Sequence, residues 1–218
     1  MTPTTDKTKE RFITLPNVLT LLRLGLVPVF LIMSLRRQAL GTLVVFTLAG
    51  LTDFLDGLAA RLCHLRTNIG TLLDPLADKL LLSTAFILLT LKGLSSPYSI
   101  PFWLTAVVIG RDLVIVVGAY VIFRLRGTKS FTPSLFGKIS TVSQVVTVFC
   151  VLLANYVPVS DWGHVRMLSS LSSSSALSIL FLVTLASTIL SGVHYVIAGI
   201  RLAFFTKDGL SLPTYSGR

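Results

Sequence analysis

The chain alternates between long apolar stretches and short polar connections. Six of the stretches come close to or exceed the roughly 20 residues that a helix needs to cross the hydrocarbon core of a bilayer. They cover approximately residues 16–36, 39–61, 70–92, 99–123, 136–157 and 176–203. Strands of a membrane barrel alternate apolar and polar residues, whereas these stretches are continuously apolar. The pattern predicts an all-α integral membrane protein, built as a bundle of six transmembrane helices.

Lysine and arginine residues are concentrated on alternate connections between the predicted helices. With the N-terminus inside, twelve cations lie on the cytoplasmic side and four on the other side. Cytoplasmic connections of membrane proteins carry such an excess. We therefore expect cytoplasmic segments at 1–15 and 204–218, flanking one membrane domain at 16–203. The first apolar stretch lacks a small-residue cleavage site, so we expect it to remain in the mature protein.

Composition agrees with a membrane protein and argues against a nucleic-acid partner. Hydrophobic residues make up 53% of the chain and charged residues 13%, with a mean hydropathy of +0.83. The formal net charge is +10. Because the cations are dispersed among apolar helices and form no basic face with interleaved aromatic residues, we expect no nucleic-acid binding.

Four aspartates lie in or beside the second and third apolar stretches, which otherwise avoid charge. An acidic side chain at mid-membrane costs about 2.5–3.5 kcal/mol, so these carboxylates need compensation. Asp53 and Asp56 are three residues apart and Asp74 and Asp78 are four apart, so each pair shares a helix face. Facing helices would bring the four carboxylates together. Hard oxygen ligands at this density favour Mg²⁺ or Mn²⁺ together with substrate phosphates.

Intramembrane ion pairs are the alternative explanation of these charges. Arg61 and Lys79 would then neutralise two of the carboxylates, and the other two would lie in water at the interface. Gly57 and Ala60 favour a ligand site, because small residues leave space for a bulky ligand to approach the backbone. Small residues also occur where membrane helices pack together, so the residues alone leave both explanations open.

The acidic residues form part of a longer motif, D-x2-D-G-x2-A-R-x8-G-x3-D-x3-D. The chain matches all eight fixed positions, at Asp53, Asp56, Gly57, Ala60, Arg61, Gly70, Asp74 and Asp78. In this motif the chain resembles the CDP-alcohol phosphatidyltransferases. The resemblance is specific, because the eight residues fall at the adjoining ends of two predicted membrane helices.

The resemblance implies a homodimeric enzyme with six membrane helices. Such an enzyme transfers a phosphatidyl group from CDP-diacylglycerol to an alcohol and releases CMP. The resemblance also implies a site at the cytoplasmic membrane interface, in a membrane that we expect to be a bacterial inner membrane.

The resemblance further implies roles for the motif residues. Two Mg²⁺ or Mn²⁺ ions would be held by Asp53, Asp56, Asp74 and Asp78. The CDP moiety would lie against Gly57, Ala60, Arg61 and Gly70. The carboxylate of Asp78 would also be the base for the acceptor hydroxyl. Metal ligation is its favoured role, because a bound cation stabilises the ionised carboxylate and weakens it as a base.

Three basic residues outside the motif are candidates for binding the acceptor. The segment 15–20 and Arg23 resemble the first helix of the phosphatidylglycerophosphate and cardiolipin synthase branches, and Arg23 lies too deep for an ordinary surface charge. Arg111 is either an ion-pair partner of Asp112 or, as the resemblance suggests, a ligand of an anionic acceptor. Lys138 is either a second ligand of that anion or a cation that extends to the membrane surface.

The acceptor itself stays open between two members of the same branch. The segment 74–79 resembles both phosphatidylglycerophosphate and cardiolipin synthases, whereas 46–53, 111–112 and 133–138 lean toward the cardiolipin type. We expect glycerol-3-phosphate as acceptor, with phosphatidylglycerol as the alternative. A non-enzymatic polytopic protein or transporter is the distant alternative. It is disfavoured because the chain lacks a paired internal repeat and matching helices broken by glycine or proline.

Overall fold

The computed structural model describes residues 15–63, 70–91, 98–126, 135–156 and 174–204. Within its helices, the side chains outside the description are those at 15–19, 54–63, 70–76, 119, 121–123, 125–126, 174 and 201–204. The described residues form six helices: α1 (Leu15–Leu35), α2 (Ala39–Cys63), α3 (Gly70–Thr90), α4 (Phe102–Arg126), α5 (Leu135–Tyr156) and α6 (Ser174–Phe204). This confirms the all-α class and the six predicted helices.

The largest differences from the predicted bounds fall at the two ends of α4, which begins at Phe102 rather than at residue 99 and ends at Arg126 rather than at residue 123. A residue before proline is kept out of the helical region by the proline ring, so Ile100 cannot extend the helix backwards. The Pro101 carbonyl instead accepts the first hydrogen bonds of the helix, from the backbone N–H groups of Leu104 and Thr105 at 3.0 and 3.3 Å. The helix therefore starts directly after the proline.

Two of the described helical segments are long and apolar enough to cross a membrane. They are Leu135–Tyr156 in α5 and Ser175–Ile200 in α6. Two shorter apolar segments, Thr20–Leu35 and Ala39–Asp53, lie in α1 and α2. Large apolar side chains such as Leu113, Val116 and Leu182 are more than half exposed, as expected for helices that face a nonpolar solvent.

The chain divides into two compact units. The first unit contains Met1–Ile100 and Val148–Leu177, and the second contains Pro101–Thr147 and Ser178–Arg218. In the first unit α1 packs against both α2 and α3. Phe30 of α1 and Phe46 of α2 are buried, with ring centroids 6.0 Å apart, beside the fully buried Ala49. Small and large side chains alternate in this core and allow the helices to approach closely.

A tight turn fixes the direction of α2 relative to α1. Arg37 has a φ of 55°, in the left-handed region that often ends a helix. Its N–H donates to the carbonyl of Ser34 at 2.9 Å, and the N–H of Gln38 donates to the carbonyl of Met33 at 3.1 Å. Because only three residues separate the two helices, the chain must reverse at once. The N-terminal half of α1 consequently lies beside the C-terminal half of α2.

An asparagine side chain holds the segment before α4 in the first unit. The Tyr98 N–H donates to the Asn155 Oδ1 at 2.8 Å, and the Asn155 Nδ2 donates to the Tyr98 carbonyl at 2.8 Å. The Ile100 N–H donates to the Leu89 carbonyl at 2.9 Å. These bonds tie an extended backbone to the ends of α3 and α5 and satisfy polar groups that would be costly to leave unpaired.

The second unit contains a polar ladder between α5 and α6. The hydroxyls of Thr147 and Thr184 are 2.6 Å apart, and those of Ser143 and Ser187 are 2.7 Å apart. Gln144 is fully buried, and its Nε2 donates to the Ser140 hydroxyl of its own helix at 3.2 Å and to the Thr188 hydroxyl of α6 at 3.5 Å. Hydroxyl and amide pairs of this kind hold membrane helices together where lipid offers no hydrogen bonds.

Candidate functional site

Three helices of the first unit each contribute one charged side chain to a cluster formed by Arg23, Asp53 and Asp78. Arg23 lies about two turns after the start of α1, Asp53 lies in the C-terminal half of α2, and Asp78 lies about two turns after the start of α3. Because α1 reverses into α2 and packs on α3, these three positions meet at the same end of the helices.

One nitrogen of Arg23 joins the two carboxylates. Its Nη1 donates to the Asp78 Oδ1 at 2.6 Å and lies 3.1 Å from the Asp53 Oδ1. The Arg23 side chain is 1% exposed, whereas the side chains of Asp53 and Asp78 are 54% and 37% exposed. The cation is thus buried beneath two carboxylates that remain accessible. A buried guanidinium needs such partners, because removing one partner of a buried pair costs about 3–5 kcal/mol.

The donor chemistry of this cluster fits a divalent cation. Two hard oxygen donors come from separate helices, converge on one positive group and stay partly exposed. On the backbone, Asp56 follows Asp53 by one helical turn on α2, and Asp74 precedes Asp78 by one turn on α3. The Asp56 and Asp74 side chains lie outside the described residues, and the described ones contain no group of three or more metal-ligating side chains.

The predicted CDP-binding residues occupy the adjoining ends of α2 and α3. Gly57, Ala60 and Arg61 lie in the last turns of α2, and Gly70 is the first residue of α3. Their side-chain surroundings fall outside the described residues. Their contact with CDP therefore stays a prediction.

Arg111 is the centre of a separate polar cluster in the second unit. Its Nη1 donates to the Asp112 Oδ1 at 2.7 Å, and its Nη2 donates to the Ser191 hydroxyl at 2.5 Å. The guanidinium carbon also lies 5.7 Å from the ring centroid of Tyr195, a cation–π distance. Arg111 is 8% exposed, and its Nε has no hydrogen-bond partner among the described residues. The Nε–H group could therefore donate a hydrogen bond to a bound ligand.

Ser191 and Tyr195 received no role from the sequence. They are four residues apart on α6, so they share the face that meets Arg111. Gly192 lies between them, and a Cβ added there would be 3.5 Å from the Arg111 Cγ, which shows how closely α6 approaches α4. The i, i+4 spacing of a hydroxyl and an aromatic ring was the only available signal.

Lys138 lies exposed in the first turn of α5, in the second unit. Two residues earlier, the ring of Phe136 packs against His194 of α6 with ring centroids 5.3 Å apart and ring planes inclined by 57°, so this end of α5 contacts α6. The expectation that Lys138 and Arg111 share one anion stays a prediction.

Comparisons with known proteins place these features in a family. The family model described as CDP-alcohol phosphatidyltransferase matches residues 13–204. The chain is 32% identical over 189 residues to a CDP-diacylglycerol–glycerol-3-phosphate 3-phosphatidyltransferase of Aquifex aeolicus, covering 87% of this chain and 97% of the relative. A Bacillus subtilis protein of the same name is 37% identical over 157 residues, covering 65% of this chain and 77% of the relative.

A relative with another name is similar to a comparable degree. The CMP-forming cardiolipin synthase of Streptomyces coelicolor is 36% identical over 154 residues, covering 67% of this chain and 68% of the relative. The match of the family model extends over all six described helices and includes the complete acidic motif. The chain therefore belongs to the CDP-alcohol phosphatidyltransferase family.

Proposed function

We propose that this protein transfers the phosphatidyl group of CDP-diacylglycerol to glycerol-3-phosphate, which forms phosphatidylglycerophosphate and releases CMP. The observation that carries the proposal is that Asp53 and Asp78, two aspartates of the family motif, converge on Arg23. Relatives named for this reaction cover most of the chain and support glycerol-3-phosphate as the acceptor.

The motif aspartates provide the metal-binding part of the site. Asp53 and Asp78 would hold the cation together with Asp56 and Asp74, which occupy adjacent turns of α2 and α3. When bound, two Mg²⁺ or Mn²⁺ ions supply positive charge that stabilises the pyrophosphate and the departing CMP. Gly57, Ala60, Arg61 and Gly70 line the CDP site.

Asp78 is further proposed to accept the proton of the acceptor hydroxyl, a role secondary to metal ligation. The acceptor hydroxyl oxygen forms a bond to the phosphatidyl phosphorus, the bond from that phosphorus to the CMP oxygen breaks, and its electron pair leaves with CMP. The hydroxyl proton passes to the Asp78 carboxylate. The Arg23 Nη1 donates to one oxygen of this carboxylate at 2.6 Å. The Asp78 side chain is partly exposed, so a polar acceptor can reach it.

The acceptor phosphate is bound by basic residues outside the motif. Arg111 offers the Nε donor that no described group accepts, and Lys138 offers an exposed ammonium. Arg23 was a third candidate from the sequence. Since its Nη1 already contacts two carboxylates, we assign it to the acidic cluster rather than to the acceptor.

The protein is proposed to work as a homodimer in the bacterial inner membrane. All six helices span the bilayer, both termini lie in the cytoplasm and the site opens to the cytoplasmic face. The apolar lengths of α5 and α6 and the distribution of lysine and arginine along the chain support this topology.

The deciding experiment measures CMP release from CDP-diacylglycerol by the purified chain in detergent, with Mg²⁺, with Mn²⁺ or with EDTA. Glycerol-3-phosphate, phosphatidylglycerol, inositol and serine are compared as acceptors, and products are identified by mass. Metal-dependent formation of phosphatidylglycerophosphate is expected. A folded protein that binds CDP-diacylglycerol but releases no CMP with any acceptor would overturn the proposal.

Phosphatidylglycerol is the second candidate acceptor. The Streptomyces relative favours it, because that protein is named as a CMP-forming cardiolipin synthase and matches about as well as the Bacillus one. Cardiolipin as the only product would keep the chemistry at the acidic motif and replace glycerol-3-phosphate as the acceptor.

A further inference from the structure

Arg23 occupies an unusual position for a basic residue beside an acidic motif. Its Nη1 lies within 3.1 Å of oxygens from both Asp53 and Asp78, so a single nitrogen contacts two carboxylates of different helices. The side chain is 1% exposed and reaches the carboxylates from the α1 side. The burial of Arg23 means that its charge stays close to these oxygens.

The Arg23 guanidinium weakens the binding of any second cation to the carboxylate oxygens of Asp53 and Asp78. Like charges repel over several ångströms when water is excluded, and the repulsion is much weaker in bulk water. A divalent ion that binds Asp53 and Asp78 must therefore share the oxygens with the guanidinium or displace it. At the same time the guanidinium keeps the two carboxylates together, because they would otherwise repel each other.

We propose that Arg23 is an internal counter-ion that competes with the divalent metal for Asp53 and Asp78 and thereby sets the metal concentration at which the site fills. The proposal rests on the metal-binding role given to these aspartates under the proposed function. It assigns Arg23 a role in metal affinity that is distinct from binding either substrate.

The test measures Mn²⁺ binding to the full chain in detergent, without CDP-diacylglycerol or acceptor. Free Mn²⁺ is counted from its electron paramagnetic resonance signal, for the wild type, for Arg23→Gln and for Arg36→Gln. Removing the competing charge at residue 23 is expected to lower the dissociation constant on the order of tenfold. Arg36→Gln is the matched control, because Arg36 is exposed just after the same helix and its loss changes the net charge equally.

Thermal unfolding gives a second readout that does not depend on activity. In EDTA, Arg23→Gln is expected to unfold at a lower temperature than the wild type, because two carboxylates lose their shared cation. Mn²⁺ should then raise the unfolding temperature of Arg23→Gln more than that of the wild type, because tighter binding to the folded state gives more stabilisation at the same metal concentration.

The outcomes separate this inference from the proposed function. Wild type that binds no Mn²⁺ would overturn the metal site and this inference together. Wild type that binds Mn²⁺, with Arg23→Gln binding equally or more weakly, would overturn the inference alone. If Arg23→Gln does not fold, Arg23→Met carries the test. Methionine also removes the competing charge, so the metal affinity should again rise on the order of tenfold, and an unchanged affinity would overturn the inference.

Discussion

Two of the arginines whose side chains the structure describes are buried, and their surroundings differ in kind. Arg23, in the first unit, contacts the carboxylates of two other helices through one nitrogen. Arg111, in the second unit, pairs with Asp112, its neighbour in sequence, and donates to the Ser191 hydroxyl on α6. The first arginine holds together charges from distant parts of the chain. The second has its charge balanced within its own helix.

Under the proposed function, this difference would favour a different kind of ion at each cluster. The formal charges of Arg23, Asp53 and Asp78 sum to one net negative charge, which would favour a cation. The formal charges of Arg111 and Asp112 cancel, and the Arg111 Nε has no hydrogen-bond partner among the described residues, so this nitrogen could donate a hydrogen bond to an anion. Under the proposed function, these two buried arginines would therefore lie in sites for ligands of opposite charge.

The largest effect is expected when the acidic cluster loses a carboxylate. Asp53→Asn should lower metal-dependent CMP release about 100-fold or more, since the amide retains the shape but not the negative charge that holds the metal. Steady-state release of CMP against Mn²⁺ concentration measures it. Asp112→Asn removes a carboxylate from the other arginine and should leave the Mn²⁺ affinity unchanged. Equal losses of Mn²⁺ affinity in the two variants would contradict the contrast between the clusters.

A smaller effect is expected at the polar cluster around Arg111. Arg111→Gln should raise KM for glycerol-3-phosphate about tenfold with a smaller change in kcat, because a charge-assisted hydrogen bond to the acceptor is lost. Initial rates at varied acceptor concentration separate the two constants. Arg124→Gln is the control, since Arg124 is exposed on the same helix. A KM for the acceptor that stays at the wild-type value in Arg111→Gln would remove Arg111 from acceptor binding.

The smallest effect is expected in the polar ladder of the second unit. Thr147→Val should lower the free energy of unfolding by about 0.6 kcal/mol, because it removes one interhelical hydroxyl pair at 2.6 Å. Unfolding in mixed detergent micelles measures this change. Thr141→Val is a matched control that loses only a bond from its hydroxyl to the Gly137 carbonyl of its own helix. A larger loss of stability in the control would show that the ladder does not hold α5 to α6.

The helices could be predicted from the sequence because membrane-length apolar stretches are long and their polar connections are short. The predicted bounds differ from the observed ones by three residues or fewer. The start of α4 was misplaced because apolar residues continue through Pro101, and hydrophobicity alone does not register the backbone constraint of proline.

The side-chain partners were harder to predict than the helices. The depth of Arg23 in its apolar stretch indicated an interior residue, but Asp53 and Asp78 as its partners depend on how three helices pack, which spacing within one helix does not reveal. The ion pair of Arg111 with Asp112 was weighed from sequence because the two are adjacent, and it is present. Ser191 went unnoticed because serine and threonine recur from Ser174 to Ser191 in α6, so one more serine gave no distinct signal.

The pair of hydrogen bonds between the Tyr98 backbone and the Asn155 side chain, called the clasp below, has a consequence for biosynthesis. Its two halves are 57 residues apart, so the ribosome makes Asn155 roughly 3–11 s after Tyr98 at ordinary elongation rates. During that interval the Tyr98 backbone groups need substitute partners, such as water or the translocation machinery. The segment before α4 can therefore take its final place only after the end of α5 has been synthesised, which makes this clasp a late step in the assembly of the first unit.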